Sequence, residues 1–241
     1  MQKRLDVYLS ENNTVKSRSL AASLIKQGSV EVNGRICTKA SFAVDENDNI
    51  RIIGEMPKYV GRGGLKLEKA LSHYRLHLDG SVCIDIGAST GGFTDCMLQN
   101  GAVKVYSVDV GTDQLDEKLR NDPRVVSMEK TDIRNCVDAL PAVDFIGIDV
   151  SFISLKLVLP SAYALLKDGG ECVALIKPQF EAGKSHLSKH GIVRDSKVHK
   201  KVCDDISEFA STLGFERGEV ISSPITGGDG NTEYLIYLRR L

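Results

Sequence analysis

Short apolar runs alternate with amphipathic segments along the chain from residue 64 onward. The apolar runs predict strands, and the segments between them place apolar residues at helical spacing. The predicted strands cover residues 82–86, 103–109, 125–129, 145–150, 172–177, 218–222 and 234–238. The predicted helices cover residues 65–74, 92–99, 114–120, 155–166 and 198–213. This alternation predicts an α/β fold with a doubly wound, Rossmann-like and mostly parallel sheet.

The first 54 residues follow a different pattern. Leu5 and Leu9 lie on one face of a predicted short helix, and Ser17 is expected to cap a second one. Asn33-Gly34 follows an apolar run and is the strongest short-range signal for a β-hairpin. We therefore predict a small α+β domain over residues 1–54, a linker over 55–63 and an α/β domain over 64–241.

Composition narrows the class of protein. No apolar run approaches the length that spans a bilayer, and the N-terminus lacks the apolar region of a signal peptide, so we expect a cytoplasmic protein without a membrane partner. The six cysteines are scattered without a C-x-x-C pair, which favours reduced thiols over disulfides or a zinc site. Two histidine pairs at i, i+4 lack a third ligand, so no metal is predicted.

A glycine-rich turn follows the first strand of the α/β domain, in VCIDIGASTGGFTDCML at residues 82–98. A strand that runs through such a turn into a helix can hold an adenosine cofactor, because backbone N–H groups and the helix dipole converge there. The spacing does not fit G-x-G-x-x-G, which counts against NAD and favours a cofactor without a pyrophosphate.

Acidic residues at three successive strand ends complete the predicted cofactor pocket. Asp85 precedes the turn by two positions, as is typical of methyltransferases that use S-adenosylmethionine. Asp109 is placed to accept the ribose hydroxyls, and Asp132 to accept the adenine amino group. The predicted cofactor-binding residues are Asp85, Gly87, Ser89, Thr90, Gly91, Gly92, Phe93, Asp109 and Asp132.

Basic residues outnumber acidic ones by seven to three up to Lys39, which favours a phosphate-binding surface. The order of residues in this segment resembles the alpha-L RNA-binding motif, with R-L-D, S-R-x-x-A and I-x-x-G-x-V-x-V-N-G in family order. That resemblance implies binding to structured RNA through phosphates and shape. A second basic segment is the long loop after residue 177, which is expected to clamp RNA over the cofactor. The RNA-binding candidates are Lys3, Arg4, Lys16, Arg18, Lys26, Arg35, Arg62, Lys184, Lys189 and Arg194.

Four charged residues form the predicted catalytic set, and one of them is unusual by itself. Lys177 ends a buried apolar strand, where an unpaired ammonium is costly. Together with Lys66, Asp149 and Glu233 it resembles the K-D-K-E tetrad of the FtsJ-like ribose 2′-O-methyltransferases. The KPQFEAGK and DVSFISL segments narrow the resemblance to the TlyA-type enzymes, long labelled hemolysins. The resemblance implies methylation of a cytidine in large-subunit ribosomal RNA, with small-subunit ribosomal RNA as a second candidate substrate.

Methyl transfer to a ribose hydroxyl requires in-line alignment of a weak nucleophile and the handling of one proton. Lys177 is predicted to orient or deprotonate the 2′-hydroxyl, Asp149 and Glu233 to position the lysines, and Lys66 to tune the site. Burial and the nearby Lys66 favour a neutral Lys177 amine, whereas the carboxylates of Asp149 and Glu233 favour the charged ammonium. The sequence does not decide the protonation state of Lys177.

Three alternative functions remain at the level of sequence. A cytolysin fits poorly, since neither a spanning segment nor a barrel pattern is visible. A catalytically silent RNA-binding or ribosome-assembly factor would bind the cofactor without transferring methyl groups. A base methyltransferase would need a nucleophilic cysteine or a base-stacking aromatic residue at a strand end, and neither is expected here.

Overall fold

The computed structural model describes residues 2–12, 14–15, 18–26, 28–53, 57–228 and 230–241. The chain divides into two compact units, Met1–Met56 and Pro57–Leu241. The predicted domain limits stay predictions, and Tyr59, inside the predicted linker, is buried in a core of the second unit. The predicted cap at Ser17 lies outside the described residues. No helix in the described ranges has the length and apolar character needed to cross a membrane.

The first unit is a small α+β body. A hairpin turn joins the strand Val30–Val32 to the strand Arg35–Ile36, and Asn33 and Gly34 have φ values of 51° and 79°, as a type I′ turn requires, which confirms the predicted hairpin. Val30–Val32 also pairs with Ile50–Ile52, Lys3–Arg4 pairs with Ala43–Val44, and both helices bury apolar residues in one core. The elements are β1 (Lys3–Arg4), α1 (Leu5–Glu11), α2 (Arg18–Lys26), β2 (Val30–Val32), β3 (Arg35–Ile36), β4 (Ala43–Val44) and β5 (Ile50–Ile52).

The second unit alternates strands and helices, as the apolar pattern predicts. Its strands are β6 (Val82–Ile86), β7 (Lys104–Val108), β8 (Val125–Met128), β9 (Val143–Ile148), β10 (Leu166–Ile176), β11 (Phe215–Ser222) and β12 (Tyr234–Arg240). Its helices are α3 (Gly63–Tyr74), α4 (Gly92–Gln99), α5 (Glu117–Arg120), α6 (Leu155–Leu165), α7 (Pro178–Glu181) and α8 (Ser196–Thr212). Short 3-10 helices lie at Ile133–Asn135, Val137–Ala139 and Lys184–His186.

Within the described residues, one seven-stranded sheet has the order β11-β12-β10-β9-β6-β7-β8. The five strands from β10 to β8 are parallel, and β12 pairs antiparallel with both β10 and β11. The chain winds from β6 outward through β7 to β8 and then returns to β9 on the other side of β6. The strand order therefore reverses between β6 and β9, where such folds hold their ligands.

Hydrophobic layers cover both faces of the sheet, because successive strand residues point to opposite sides. Cys83 and Phe145 pack in the layer with α3 and α4, whereas their neighbours Ile84 and Ile146 pack in the layer with α6 and α8. This burial on both faces explains why the strands read as continuous apolar runs.

Some element boundaries differ from the prediction. α5 begins at Glu117, because the Asp116 carboxylate accepts the Lys118 backbone N–H at 2.9 Å and caps the helix there. β10 begins at Leu166, well before the predicted start at residue 172, with an irregular register between Leu166 and Glu171. The intervening residues are polar or glycine, so no apolar pattern marks them.

Candidate active site

The switch point between β6 and β9 opens into a cavity of about 200 Å³. The glycine turn forms one wall, and Gly87 has a φ of 84°; a Cβ there would lie 2.6 Å from the Asp149 carbonyl oxygen. Glycine is thus required both for the backbone conformation and for the close approach of the two strand ends. The cavity is lined by Gly63, Asp85, Gly87, Ala88, Ser89, Thr90, Gly92, Phe93, Asp149, Ser151 and Lys177.

The Asp85 carboxyl group is fully buried at the end of β6. Its Oδ2 accepts hydrogen bonds from the Thr94 backbone N–H at 2.8 Å and the Thr94 hydroxyl at 2.7 Å. Its Oδ1 has no hydrogen-bond partner among the described residues. Burial raises the pKa of Asp85 to about 7, against the lowering effect of the Thr94 hydrogen bonds. A buried, unpaired carboxylate oxygen in a cavity wall is suited to a cationic or N–H donor group of a ligand.

Asp109 and Asp132, the other two acidic residues predicted to bind the cofactor, have different hydrogen-bond partners within the protein. Asp109 accepts the Ser89 backbone N–H at 2.8 Å and the Gly111 backbone N–H at 2.7 Å, so it holds the glycine turn against the end of β7. A carboxylate has about four acceptor positions, which leaves Asp109 capacity for further donors. Asp132 is engaged by the Arg134 guanidinium on both oxygens, which lowers the pKa of that carboxyl group.

The four predicted catalytic residues form one connected network of charges. Lys177 Nζ lies 2.6 Å from Asp149 Oδ1 and donates a hydrogen bond to Ser151 Oγ at 2.9 Å. Lys66 Nζ lies 3.4 Å from Asp149 Oδ2 and 2.7 Å from Glu233 Oε2. Both lysines and Glu233 are buried, and with Asp149 the network contains two positive and two negative formal charges, which balance within the protein. We call these four residues the tetrad.

The topology explains why the tetrad residues meet. Asp149 follows β9 and Lys177 follows β10, and the carboxyl ends of these parallel neighbours lie at the same sheet edge. β12 is antiparallel to β10, and Tyr234 pairs with Ile176, so Glu233 just before β12 reaches that edge as well. Lys66 arrives from the first turns of α3.

Sequence reasoning missed several residues at this edge. Ser151 is a hydrogen-bond partner of Lys177 that no motif argument singled out. Val110, directly after Asp109, is 72% exposed, and Asp109 binds the backbone of Ser89 in the cavity wall. An apolar residue that follows a strand-end acid is the signal that would have identified it.

Phe152 overturns the expectation that no aromatic residue stands at a strand end. It lies four residues after β9, is 92% exposed and has a φ of 64°. Such a backbone costs about 1–3 kcal/mol for a non-glycine residue and persists where the surroundings enforce it. The ring packs against Phe180 with centroids 5.0 Å apart, and Lys177 Nζ lies 6.0 Å from the Phe180 ring. The tetrad and the lack of a predicted strand-end cysteine still disfavour base methylation.

The basic residues predicted to bind RNA lie on both units. In the first unit, Arg4 and Arg18 both donate to the buried Asp6 carboxylate, with their Nε atoms 2.9 Å from its oxygens, and both guanidinium groups remain about half exposed. Lys3 pairs with Glu11, and Lys26 and Arg35 are exposed. In the second unit the exposed candidates are Arg62, Lys184, Lys189 and Arg194. Lys16 lies outside the described residues.

Replacing Asp6 by asparagine is expected to destabilise the first unit by about 1–2 kcal/mol at pH 7, since it removes charged acceptors from two half-exposed arginines. The hydrogen bond from Arg4 lowers the pKa of Asp6 to about 2, with a further contribution from Arg18. Its stabilisation is therefore present above about pH 4 and lost as the pH falls through 2. Urea unfolding of the full chain at several pH values measures this, and an equal difference between the two proteins at pH 7 and pH 2 would contradict it.

In the described part of the chain, no group of three His, Cys, Asp or Glu side chains is placed to hold a metal ion. His73 Nε2 contacts Glu219 Oε1 at 2.5 Å, and His186 lies in the short 3-10 helix after β10.

The chain matches two known families and is similar to named proteins and solved structures over most of its length. The FtsJ-like methyltransferase family model matches residues 59–240, and the S4 domain model matches residues 3–50. The chain is 47% identical to the "Putative rRNA methyltransferase YqxC" of Bacillus subtilis, covering 98% of this chain and 85% of that protein. It is 38% identical to the "16S/23S rRNA (cytidine-2'-O)-methyltransferase TlyA" of Mycobacterium tuberculosis, covering 98% and 89%. A solved "Putative hemolysin" from Streptococcus thermophilus has a TM-score of 0.78 and 46% identity, covering 99% and 88%.

Proposed function

The chain belongs to the FtsJ-like methyltransferase family, and we propose that it transfers a methyl group from S-adenosylmethionine to the ribose 2′-hydroxyl of a cytidine in ribosomal RNA. The observation that carries the proposal is the tetrad beside the cavity at the switch point, in which both lysines and Glu233 are buried and Asp149 is partly buried. The S4 match supports RNA as the substrate class, and the names of the relatives support ribosomal RNA. The cytoplasm is the proposed location, and a ribosomal subunit is the proposed partner.

The residues around the cavity fit the cofactor, which supplies an activated methyl group on a sulfonium. Asp85 Oδ1 is buried and unpaired among the described residues, so it is suited to the ammonium of the methionine moiety. Asp109 has acceptor capacity left for the ribose hydroxyls, and the exposed Val110 offers an apolar contact for the adenine ring. Asp132 is proposed to accept a hydrogen bond from the adenine amino group. The Asp132 carboxylate already pairs with Arg134, so the adenine and Arg134 would share it.

The tetrad residues have separate roles in the proposed reaction. Lys177 Nζ has three donor positions; it donates one to Ser151 and forms an ion pair with Asp149 at 2.6 Å, which leaves a donor for the substrate 2′-oxygen. As an ammonium, Lys177 would hold that oxygen in line with the methyl group but cannot accept a proton. The single proton released when the oxygen–methyl bond forms and the methyl–sulfur bond breaks would therefore pass to the Asp149 carboxylate and then to solvent. Glu233 fixes Lys66, which in turn holds the second oxygen of Asp149.

Transfer of radiolabelled methyl groups to ribosomal RNA, followed by nuclease digestion and mass spectrometry, tests the proposal. We expect 2′-O-methylcytidine as the labelled product. A methyl group on a base would contradict the ribose assignment. Cofactor binding without transfer to either ribosomal subunit would instead support the silent RNA-binding factor. Lysis of erythrocytes by the purified, transfer-inactive protein would support the cytolysin.

Phe152 is the proposed stacking surface for the base of the target nucleotide, because its exposed ring stands three residues after Asp149 and packs against Phe180. Stacking of a base on an aromatic ring contributes about 1–3 kcal/mol, so Phe152→Ala is expected to lower kcat/KM for RNA by about 5- to 150-fold. Phe152→Trp keeps a stacking ring and should retain most of the activity. Equal kcat/KM values for the alanine variant and the wild type would refute the role.

A further inference from the structure

Two loops that carry proposed reacting residues are joined by one carboxylate. Glu181 ends α7, the short helix that directly follows Lys177. Its Oε2 accepts a hydrogen bond from the Ser154 hydroxyl at 2.6 Å, and its Oε1 accepts one from the Leu155 backbone N–H at 2.8 Å. Ser154 and Leu155 form the start of α6, which follows the loop of residues 149–154. Glu181 therefore ties the end of β10 to the loop after β9.

The loop of residues 149–154 needs such a restraint. It contains the partners of Lys177, which are Asp149 and Ser151, and it contains Phe152 in a left-handed backbone conformation. A residue held at a positive φ relaxes unless its neighbours enforce the conformation. On one side of Phe152, Asp149 is paired with Lys177; on the other side, Ser154 and Leu155 are bound by Glu181. The ring contact with Phe180, next to Glu181, completes the link between the two loops.

We propose that Glu181 is a positioning residue for methyl transfer, which holds Ser151 and Phe152 in register with Lys177. Both carboxylate oxygens are engaged at the N-terminus of α6, where a negative charge also interacts favourably with the helix dipole. Glu181 is not among the residues that line the cavity, so it acts through the loop and not on the reacting atoms. This inference rests on the function proposed above.

The test compares Glu181→Ala with Asp195→Ala in the full chain. Asp195 is a matched control, because its carboxylate caps α8 through the Lys197 backbone N–H at 2.8 Å without joining the two loops. Each variant is expected to lose about 2–4 °C in Tm. Only Glu181→Ala is expected to lower kcat, by about 10- to 100-fold, because a displacement of about 1 Å at a reacting group costs up to about that factor. The affinity for S-adenosylmethionine should stay unchanged, since Asp85 and Asp109 keep their contacts.

A conservative variant separates positioning from charge. In Glu181→Gln the amide oxygen can accept from Leu155 and the amide N–H can donate to the Ser154 hydroxyl, so most of the turnover should return. Equal kcat values for Glu181→Ala and Asp195→Ala, measured below both Tm values, would overturn the proposal.

Amide hydrogen exchange at residues 151–155 provides a readout that needs no substrate. We expect faster exchange there in Glu181→Ala than in Asp195→Ala, and equal protection would also overturn the proposal. If the wild type transfers no methyl group to RNA, the proposed function fails, while the exchange data still report whether Glu181 orders the loop.

Discussion

Lys177→Ala is expected to lower kcat for methyl transfer to RNA by about 10²–10⁴-fold, the range in which positioned proton-transfer groups contribute. The substitution removes the group proposed to hold the 2′-oxygen, and it leaves the Asp149 carboxylate without its partner at 2.6 Å. The cofactor affinity should remain close to that of the wild type, because the Asp85 and Asp109 contacts are untouched. Single-turnover kinetics with saturating cofactor measures the effect.

Lys167 provides a matched control for Lys177, because it belongs to the same strand and pairs with Asp144 at 2.6 Å near the strand's opposite end. The Lys167 side chain is half exposed, and such pairs contribute only about 0–1 kcal/mol. Lys167→Ala should therefore leave kcat unchanged. A kcat for Lys177→Ala equal to that of Lys167→Ala would remove Lys177 from the proposed reaction. Lys177→Arg tests geometry, since a planar guanidinium retains the charge but cannot reproduce the placement of Nζ.

The affinity for S-adenosylmethionine is expected to rise about tenfold between pH 5.5 and pH 7. Burial raises the pKa of Asp85 to about 7, so at the lower pH most of the protein carries a neutral carboxyl group facing the ligand ammonium. Titration calorimetry at constant ionic strength measures the dissociation constant. 5′-Methylthioadenosine lacks the amino-acid moiety and should bind with little pH dependence over the same range. An equal pH dependence for both ligands would contradict the proposed contact of Asp85.

The raised pKa of Asp85 has the opposite effect on the stability of the ligand-free protein, which falls as the pH rises. The pKa of Asp85 is higher in the folded chain than its ordinary value of 3.8, so ionisation of this group disfavours folding. Its contribution to stability is fully present below about pH 4 and is lost as the pH rises through 7. Asp85→Asn should remove this part of the pH dependence of Tm and should also weaken cofactor binding at every pH.

Much of the fold follows from local pattern. The order and type of the strands and helices in the second unit follow from continuous apolar runs and helical spacing, because each strand is buried on both faces. The family resemblance inferred from the tetrad and from the N-terminal motif is confirmed by the matches over residues 59–240 and 3–50. Boundaries at caps and irregular registers, as at Asp116 and Leu166, depend on contacts that pattern alone does not reveal.

The sequence predicted the type of reaction at the candidate site but only some of the residues that form the site. Lys66, Asp149, Lys177 and Glu233 were predicted to act together, and they lie in one network. Phe152 was missed because an aromatic residue after a strand usually packs inward, and only its left-handed backbone and exposure reveal a different role. Glu181 was missed because its partners are 26 and 27 residues away in the chain.

The sequence by itself determined which chemical groups follow which strands: a glycine turn two residues after Asp85, further strand-end acids, and a lysine, Lys177, where an unpaired charge would be costly. These features depend on residue type and short spacing, which a single chain displays directly. Only the tertiary structure decided which atoms meet. The parallel β9 and β10 and the antiparallel β12 bring Asp149, Lys177 and Glu233 to one sheet edge, and α3 places Lys66 within ion-pair distance of Asp149, 83 positions away. Local spacing does not encode burial or exposure. Only the tertiary structure shows that Asp85 Oδ1 is buried without a partner among the described residues and that Phe152 is exposed.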